Sequence, residues 1–382
     1  MNAMKYYLKH FFDPDFDYTK RKPASNNLSA SGLYCLGYVQ NAISGQLLAE
    51  IIPLEEAGDS PDPRFILDEM RFPAGANTCV LKQLPNYLLS AAKGFVFYDQ
   101  GLICVKQLLN VRQDISFRTG NIFFVGDLAI HGSLRGGFEV QADNIHILGR
   151  IEGGIARARR DITIDGGAKG SMGQHCLIDA GGKLCADFLE KIEARSKGSM
   201  LIDKYSLYST VYAGTNMIVR GQLYGGVLHA GGSVFVGKQL GNKAAVSTQI
   251  NLGYDPLIMR HLEKLDSMMG DLNIRISHLQ ATVGHLPPNA NESTVKLQEF
   301  LRQHECLATM REIYMKRLAD QVKPLEKCRL MVAGIVYPGV EIAIGEAYLQ
   351  THETHENVIF SLQEVGEIGF SPMPAGFAGK FL

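Results

Sequence analysis

DLAIHGSLRGGFEVQAD (127–143), NIHILGRIEGGIARARR (144–160) and DITIDGGAKG (161–170) are versions of one phrase, which begins again at Asp127, Asn144 and Asp161. Leu128, Ile145 and Ile162 share a column, as do Ile130, Ile147 and Ile164; Leu134, Ile151 and Ala168 make a third. Gly132, Gly149 and Gly166 also align. Apolar residues that alternate between glycine turns signal strands rather than helix. A unit this short cannot bury its own apolar face. Successive coils must stack, each pairing in parallel with the next at about 4.8 Å per step. The phrase predicts a mainly β chain built on a single-chain parallel β-helix.

Outward from the phrase, the same texture places the β-helix over 113–255, with the strict register lost at 186–215 and regained at NMIVRGQLYGGVLHAGG (216–232). Upstream, residues 1–32 read as an irregular segment that ends in the polar KRKPASNNLSAS (20–31), and 33–112 as a small β-rich N-terminal domain. After Asp255-Pro256 the period changes. Ile258, Leu262, Leu265, Met269, Leu272, Ile276, Leu279, Val283 and Leu286 follow one another by steps of 4 and 3, a heptad seam. HLPPNANES (285–293) is a turn, with Asn291 or Ser293 as the N-cap of a second helix over 294–328. That helix carries Leu297, Phe300, Leu301, Leu307, Met310, Tyr314, Leu318 and Leu325, a less regular stripe, with His304 on or near it. The short turn makes the pair an antiparallel coiled-coil hairpin over 256–329, about 40–50 Å long. Strand texture returns over 330–382, where Val340, Ile342 and Ile344 alternate, then Val358, Phe360 and Leu362. The hairpin is therefore an insertion. The returning strands complete or cap the β-helix, because a bare last coil would expose a row of unpaired backbone groups.

Bulk properties exclude several classes. Lys+Arg total 38 against Asp+Glu 39, a net charge of −1, so no basic field points to nucleic acid. No apolar stretch approaches the roughly 18 residues of a membrane span. The opening residues lack the apolar core of a secretory signal, and the seven cysteines contain no CxxC pair, so a cytoplasmic protein with reduced thiols is expected.

The order of parts resembles one bacterial family, flagellar assembly protein A. The resemblance is carried by ISGQLLAEIIP (43–53), SFRTGNIFFVGDLAIHGSL (116–134), GGIARARRDITIDGG (153–167) and GGVLHAGGSVFVGKQLG (225–241), with the INLGYDP exit (250–256) and the VYPGVEIAIG return (336–345). It implies a β-solenoid with an inserted coiled coil in a non-enzymatic cytoplasmic protein of flagellar assembly, often at the cell pole. No catalytic residue, metal or cofactor comes with it.

Candidate chemistry weighs mostly on the side of structure. Asp127, Asn144 and Asp161 form a column at one turn, where such ladders cap backbone N–H groups more often than they do acid–base work. Asp165, Asp179, Asp187 and Asp203 offer no pair in register for glycoside hydrolysis. HETHE (352–356) lacks the second histidine of a zinc-protease motif, and His131, His146, His175 and His229 read as surface or turn residues. Two interaction surfaces remain. One is the seam from Ile258 through Leu262, Leu265, Met269, Leu272, Ile276 and Leu279, satisfied by the second helix or left open to a protein partner or a second copy. The other is a basic patch of Arg157, Arg159 and Arg160 beside Arg135 and Arg150. The expectation is a scaffold that binds protein through its coiled coil. Its alternatives are a self-polymerising cytoskeletal β-helix and a carbohydrate-active β-helix enzyme.

Overall fold

Parallel stacking is what the repeat produces. The computed structural model describes residues 5–17, 37–58, 60–171, 176–283, 291–320, 325–374, 376 and 379, the side chains of 282, 283 and 291–293 excepted. It divides into two units, Met1–Glu193 and Ala194–Leu382.

In the first unit, Asp127–Ile130 pairs in parallel with Ile145–Ile147 and that strand with Ile162–Ile164, so that Leu128 faces Ile145 and Ile145 faces Ile162. A second face stacks Ile122–Phe123, Glu139–Ala142, Ile155–Ala158 and Leu177–Ala180. A third joins Leu134 to Ile151 and Ile151–Glu152 to Ala168–Lys169. The three apolar columns point inward and are fully buried. The glycine column marks a corner where coils come too close for a side chain. A Cβ on Gly149 would lie 2.4 Å from the carbonyl oxygen of Gly132, and one on Gly166 at 2.4 Å from that of Gly149. The Asx column caps backbone as expected. Asp127 Oδ1 accepts from the Asn144 amide at 3.3 Å and from its Nδ2 at 2.8 Å, Asn144 Oδ1 from the Asp161 amide at 3.2 Å, and Asp161 Oδ1 from the Lys183 amide at 2.7 Å.

The N-terminal part of this unit differs from expectation. Tyr6–His10, inside the segment read as irregular, is a strand lying between Leu47–Pro53 and Ile66–Leu67 in a five-stranded antiparallel sheet completed by Leu84–Ser90 and Thr78–Leu81. Its YYLKH sequence buries Leu8 in a core with Leu48, Ile51, Leu88 and Ile103, and that burial outweighs the polar surroundings. Leu108–Val111, assigned by the sequence to the N-terminal domain, pairs in parallel with Asp127–Ile130 and so belongs to the coils.

In the second unit, Met200–Ala213 pairs with Met217–Val219 and with Gln222–Ala230 at one constant offset, Met200 facing Met217 and Ala213 facing Ala230. The register is therefore kept over 200–215. The break lies earlier, within the first unit, where the coil lengthens and Ile162 faces Leu184. The signal at 200–213 was hidden because Tyr208 (φ 50°) takes the left-handed turn position that Gly225 (φ 73°) takes at the matching place in the next coil. Val234–Val236 then pairs with Leu330–Val332, and Thr248–Leu252 with Val340–Ile344.

Between those strands stand helix α1, Pro256–Val283, and helix α2, Asn291–Asp320. Asp255 Oδ1 accepts from the Leu257 amide at 2.9 Å, and Pro256 opens the helix, the expected start chemistry. Residues 284–290, with Leu286 and most of the expected turn, fall outside the described residues, as does the side chain of Val283. Helix α2 already includes Asn291 and Ser293, so it begins earlier than the expected 294 and neither residue stands before it as an N-cap. The second helix is described to Asp320, and Leu325–Lys327 is a 3-10 turn rather than the helix expected to run to 328. Finally, His355–Leu362 turns back antiparallel on Arg329–Val336, followed by Ile368–Pro372, while Ala347–Gln350 folds back on Val340–Ile344. The final strands are antiparallel, and one of them carries Pro372, so the last coil is covered.

The fold is thus a mainly β parallel solenoid with an inserted helical hairpin and a small β-rich N-terminal region. Gly149→Ala is expected to cost about 1–3 kcal/mol in urea unfolding, because the added methyl meets backbone that cannot move. Gly270→Ala, in α1 with open space around it, should instead stabilise by roughly 0.5–1 kcal/mol.

Candidate functional site

The hairpin is antiparallel in detail: His261 stacks on Tyr314 with ring centroids 5.1 Å apart, and Arg311 Nε donates to Asp266 Oδ1 at 2.6 Å. Ile258, Leu262, Leu265, Leu272 and Ile276 are buried, and Met269 and Leu279 half-buried. The seam that the sequence offered as an interaction surface is therefore covered, and the second helix provides much of the cover. That helix has a seam as regular as the first: Leu297, Phe300, His304, Leu307, Arg311, Tyr314 and Leu318, in steps of 3 and 4, are each half-buried. The apolar pattern missed it because His304 and Arg311 hold two of the positions. Leu301 and Met310, counted in the apolar stripe, are exposed. Polar residues at seam positions specify register at some cost in stability. His304 shows that cost, since its Nε2 is buried with no hydrogen-bond partner among the described residues.

Within the second unit the hairpin is fixed to the coils through Glu263 of α1. Tyr212 and His229, neighbours in register on adjacent coils, stack with ring centroids 5.2 Å apart and an interplanar angle of 3°. The Tyr212 hydroxyl donates to Glu263 Oε2 at 2.7 Å, and His229 Nε2 lies 2.9 Å from Glu263 Oε1. The second contact lies off the ring N–H direction, so it is a close polar approach rather than a hydrogen bond. His229, read from the sequence as a surface or turn residue, is 4% exposed: its strand position faces Tyr212 and α1 rather than water. Burial and the nearby Arg260, Lys264 and Arg195 hold the His261 imidazole below its ordinary pKa, which favours the neutral ring that stacks on Tyr314.

The basic patch is not a field of free charge. Arg157 pairs with Glu139, Arg135 with Asp114 and Glu152, Arg160 with Asp127 at 3.4 Å, and Arg159 approaches Asp143 at 3.7 Å. Stacking brings those carboxylates within reach from neighbouring coils, and neighbours in space were invisible to a reading along the chain. Asp143, itself buried, also pairs with Lys93. His146 contacts Asp165 at 2.9 Å, His131 is exposed, His355 packs on Phe370, and His175 lies outside the described residues. Among the described residues no three His, Cys, Asp or Glu side chains gather as metal ligands would, and no helix is long and apolar enough to cross a membrane.

With the stacked coils and the inserted hairpin in view, comparison with known families is decisive. The flagellar assembly protein A beta solenoid domain matches residues 107–368. The chain belongs to the flagellar assembly protein A family. No curated protein and no solved structure matches it. The match to flagellar assembly protein A begins where the coils begin, at the strand Leu108–Val111, takes in the hairpin, and ends at the start of the last returning strand, Ile368–Pro372.

The N-terminal module lies outside that match and holds a cluster the sequence did not single out. His10 Nε2 is 2.6 Å from the Tyr98 hydroxyl, its ring packed edge-on against Phe12 and Phe65. Burial lowers the His10 pKa to about 4, prevailing over the opposite pull of Asp15 and Asp62, and raises that of Tyr98 to about 12. Tyr98 therefore keeps its proton, and the short contact joins a neutral phenol to a neutral imidazole. Beside them Arg64 grips Asp15 and Asp62 at 2.7 and 2.8 Å and holds both carboxyls below their usual range. No sequence signal would have gathered these groups, which come from segments far apart along the chain.

Two outcomes follow from these geometries. Removing the Glu263 carboxylate by Glu263→Ala should lower hydrogen-exchange protection in the first turns of α1 about tenfold, with coil protection unchanged. The folded protein keeps His10 neutral where the unfolded chain takes up a proton, so its contribution is intact above about pH 6.5 and lost as pH falls toward 4. Melting temperatures from pH 7 to 4.5 should fall less steeply for His10→Phe than for the parent; parallel slopes would count against a neutral His10.

Proposed function

We propose that this chain is a non-enzymatic scaffold of flagellar assembly, acting in the cytoplasm and at the cell pole, in which the coils hold a helical hairpin that engages protein partners. Membership of the flagellar assembly protein A family supplies the process. The observation that carries the scaffold reading is how the hairpin is built in. It leaves the coils after Leu252 and returns at Cys328, where a Cβ on Gly253 would sit 3.7 Å from the Cys328 Sγ. Glu263 then ties α1 to two adjacent coils. Such an insertion costs the coils nothing in register, since Val234 pairs with Leu330 as though the intervening residues were a turn. Two helices of 28 and 30 residues, about 42–45 Å each, present far more polar surface than the stack needs for its own stability.

Other features favour binding over catalysis. The Asp127 and Asp161 oxygens that could have served as acids or bases accept backbone amides. Arg135, Arg157, Arg159 and Arg160 are matched by carboxylates, though Arg150 has no such match among the described residues. The antiparallel final strands, with Pro372, oppose end-to-end polymerisation of coils. The test is to replace 256–324 by a short Gly-Ser linker, keeping Leu325, which packs over Gly253 and Gly345. The expected product has native β circular dichroism and cooperative unfolding but captures none of the proteins that the full chain captures from cytoplasm. Undiminished capture would move the binding surface to the coils or the N-terminal module.

A further inference from the structure

The outer side of α2 carries a stripe that the hairpin itself does not use. Val295, Glu299, Cys306, Met310, Ile313 and Arg317 fall within about 60° of one another on the helix, roughly a third of a turn from the centre of its seam. All are exposed, Val295 at 60%, Met310 at 47% and Ile313 at 48%. Gln303 completes the stripe. On the same side, Met268, Asp271 and Arg275 of α1 join Gln303 and Cys306 around a groove of about 400 Å³.

The stripe is its own complement when reversed. Glu299 and Arg317 are equally far along the chain from Ala308, as are Gln303 and Ile313, and Cys306 and Met310. Neither Glu299 nor Arg317 has an ion-pair partner among the described residues. Glu299 only accepts from Gln303 Nε2 at 3.4 Å, and Arg317 lies over the Tyr314 ring at 5.6 Å. We infer that the occupant of this face is a second copy of the same chain, its α2 laid antiparallel on the first about a two-fold axis level with Ala308. Cys306 then packs on Met310 of the second copy, twice over, in the apolar centre. Glu299 meets Arg317 of the second copy at each end, and the two hairpins make a four-helix bundle. A parallel arrangement would set Glu299 against Glu299 and Arg317 against Arg317, so the charges also select orientation.

This inference rests on the reading of the hairpin as an interaction arm, and reversal of charge in the full-length chain tests it. Sedimentation should show a concentration-dependent dimer that weakens with added salt. Glu299→Arg and Arg317→Glu, each of which sets like charges together at both ends, should each weaken dimerisation at least about tenfold. The double reversal should restore it, with helical circular dichroism unchanged in all three. A monomeric parent, single variants that dimerise as the parent does, or a double variant that is not rescued would each overturn the self-pairing. If the parent is monomeric but partner capture still depends on the hairpin, the arm survives and only its self-association falls. If the linker-replaced chain dimerises as the full chain does, the pairing lies elsewhere.

Discussion

Every coil must offer its backbone N–H and C=O groups to the next coil in register, and most of this structure follows from that demand. Parallel pairing between coils has no tight hairpin to set its register, so register is set by side chains that must land in the same place each turn. Large aliphatics stack inside, the Asx column closes backbone amides at one corner, and glycine admits the close approach at another. Even the ion pairs obey it: Arg135 with Glu152 and Asp203 with Arg220 each join matching places on successive coils. Charge on these surfaces alternates because unlike residues stack, and like residues would repel at that spacing.

The same demand explains how a helical hairpin can be inserted without disturbing the coils. The insertion leaves from a connection between paired strands, so its length is nearly free, because the closure cost of a flexible loop grows only slowly with its length. The strands on either side keep their partners. What an insertion does need is an anchor, and Glu263 provides one by bridging Tyr212 and His229. A buried histidine beside a carboxylate on a helix is an expensive arrangement in a purely structural frame. Its presence fits a hairpin whose direction matters.

The organisation of chemistry in the chain points the same way. The carboxylates and histidines of the coils are largely engaged by backbone amides or by basic side chains, as at Asp161 and Asp203, whereas the hairpin carries exposed side chains of mixed polarity on two long helices. The N-terminal module, with its neutral His10 and the Arg64 clamp, lies outside the matched solenoid in sequence but packs on its first coils, where Lys93 pairs with Asp143 and Asn41 donates to the Phe123 carbonyl.

How much was legible depended on whether a feature repeats along the chain or is created by neighbours across it. The repeat at 127–170, the α1 seam and the return at Val340 were read from the sequence alone, because a strand or helix stamps its period on the residues that form it. The α2 seam was half-read, since His304 and Arg311 occupy apolar positions for reasons found on the facing helix. Tyr208 concealed a turn that glycine would have announced. The burial of His229, the pairing of Arg157, Arg159 and Arg160, and the strand at Tyr6–His10 were decided only in three dimensions. The amino-acid sequence by itself determined which local structures form and how often they recur. The tertiary structure decided which charges are neutralised and which apolar faces remain open, because burial and ion pairing depend on distance in space and not on separation along the chain.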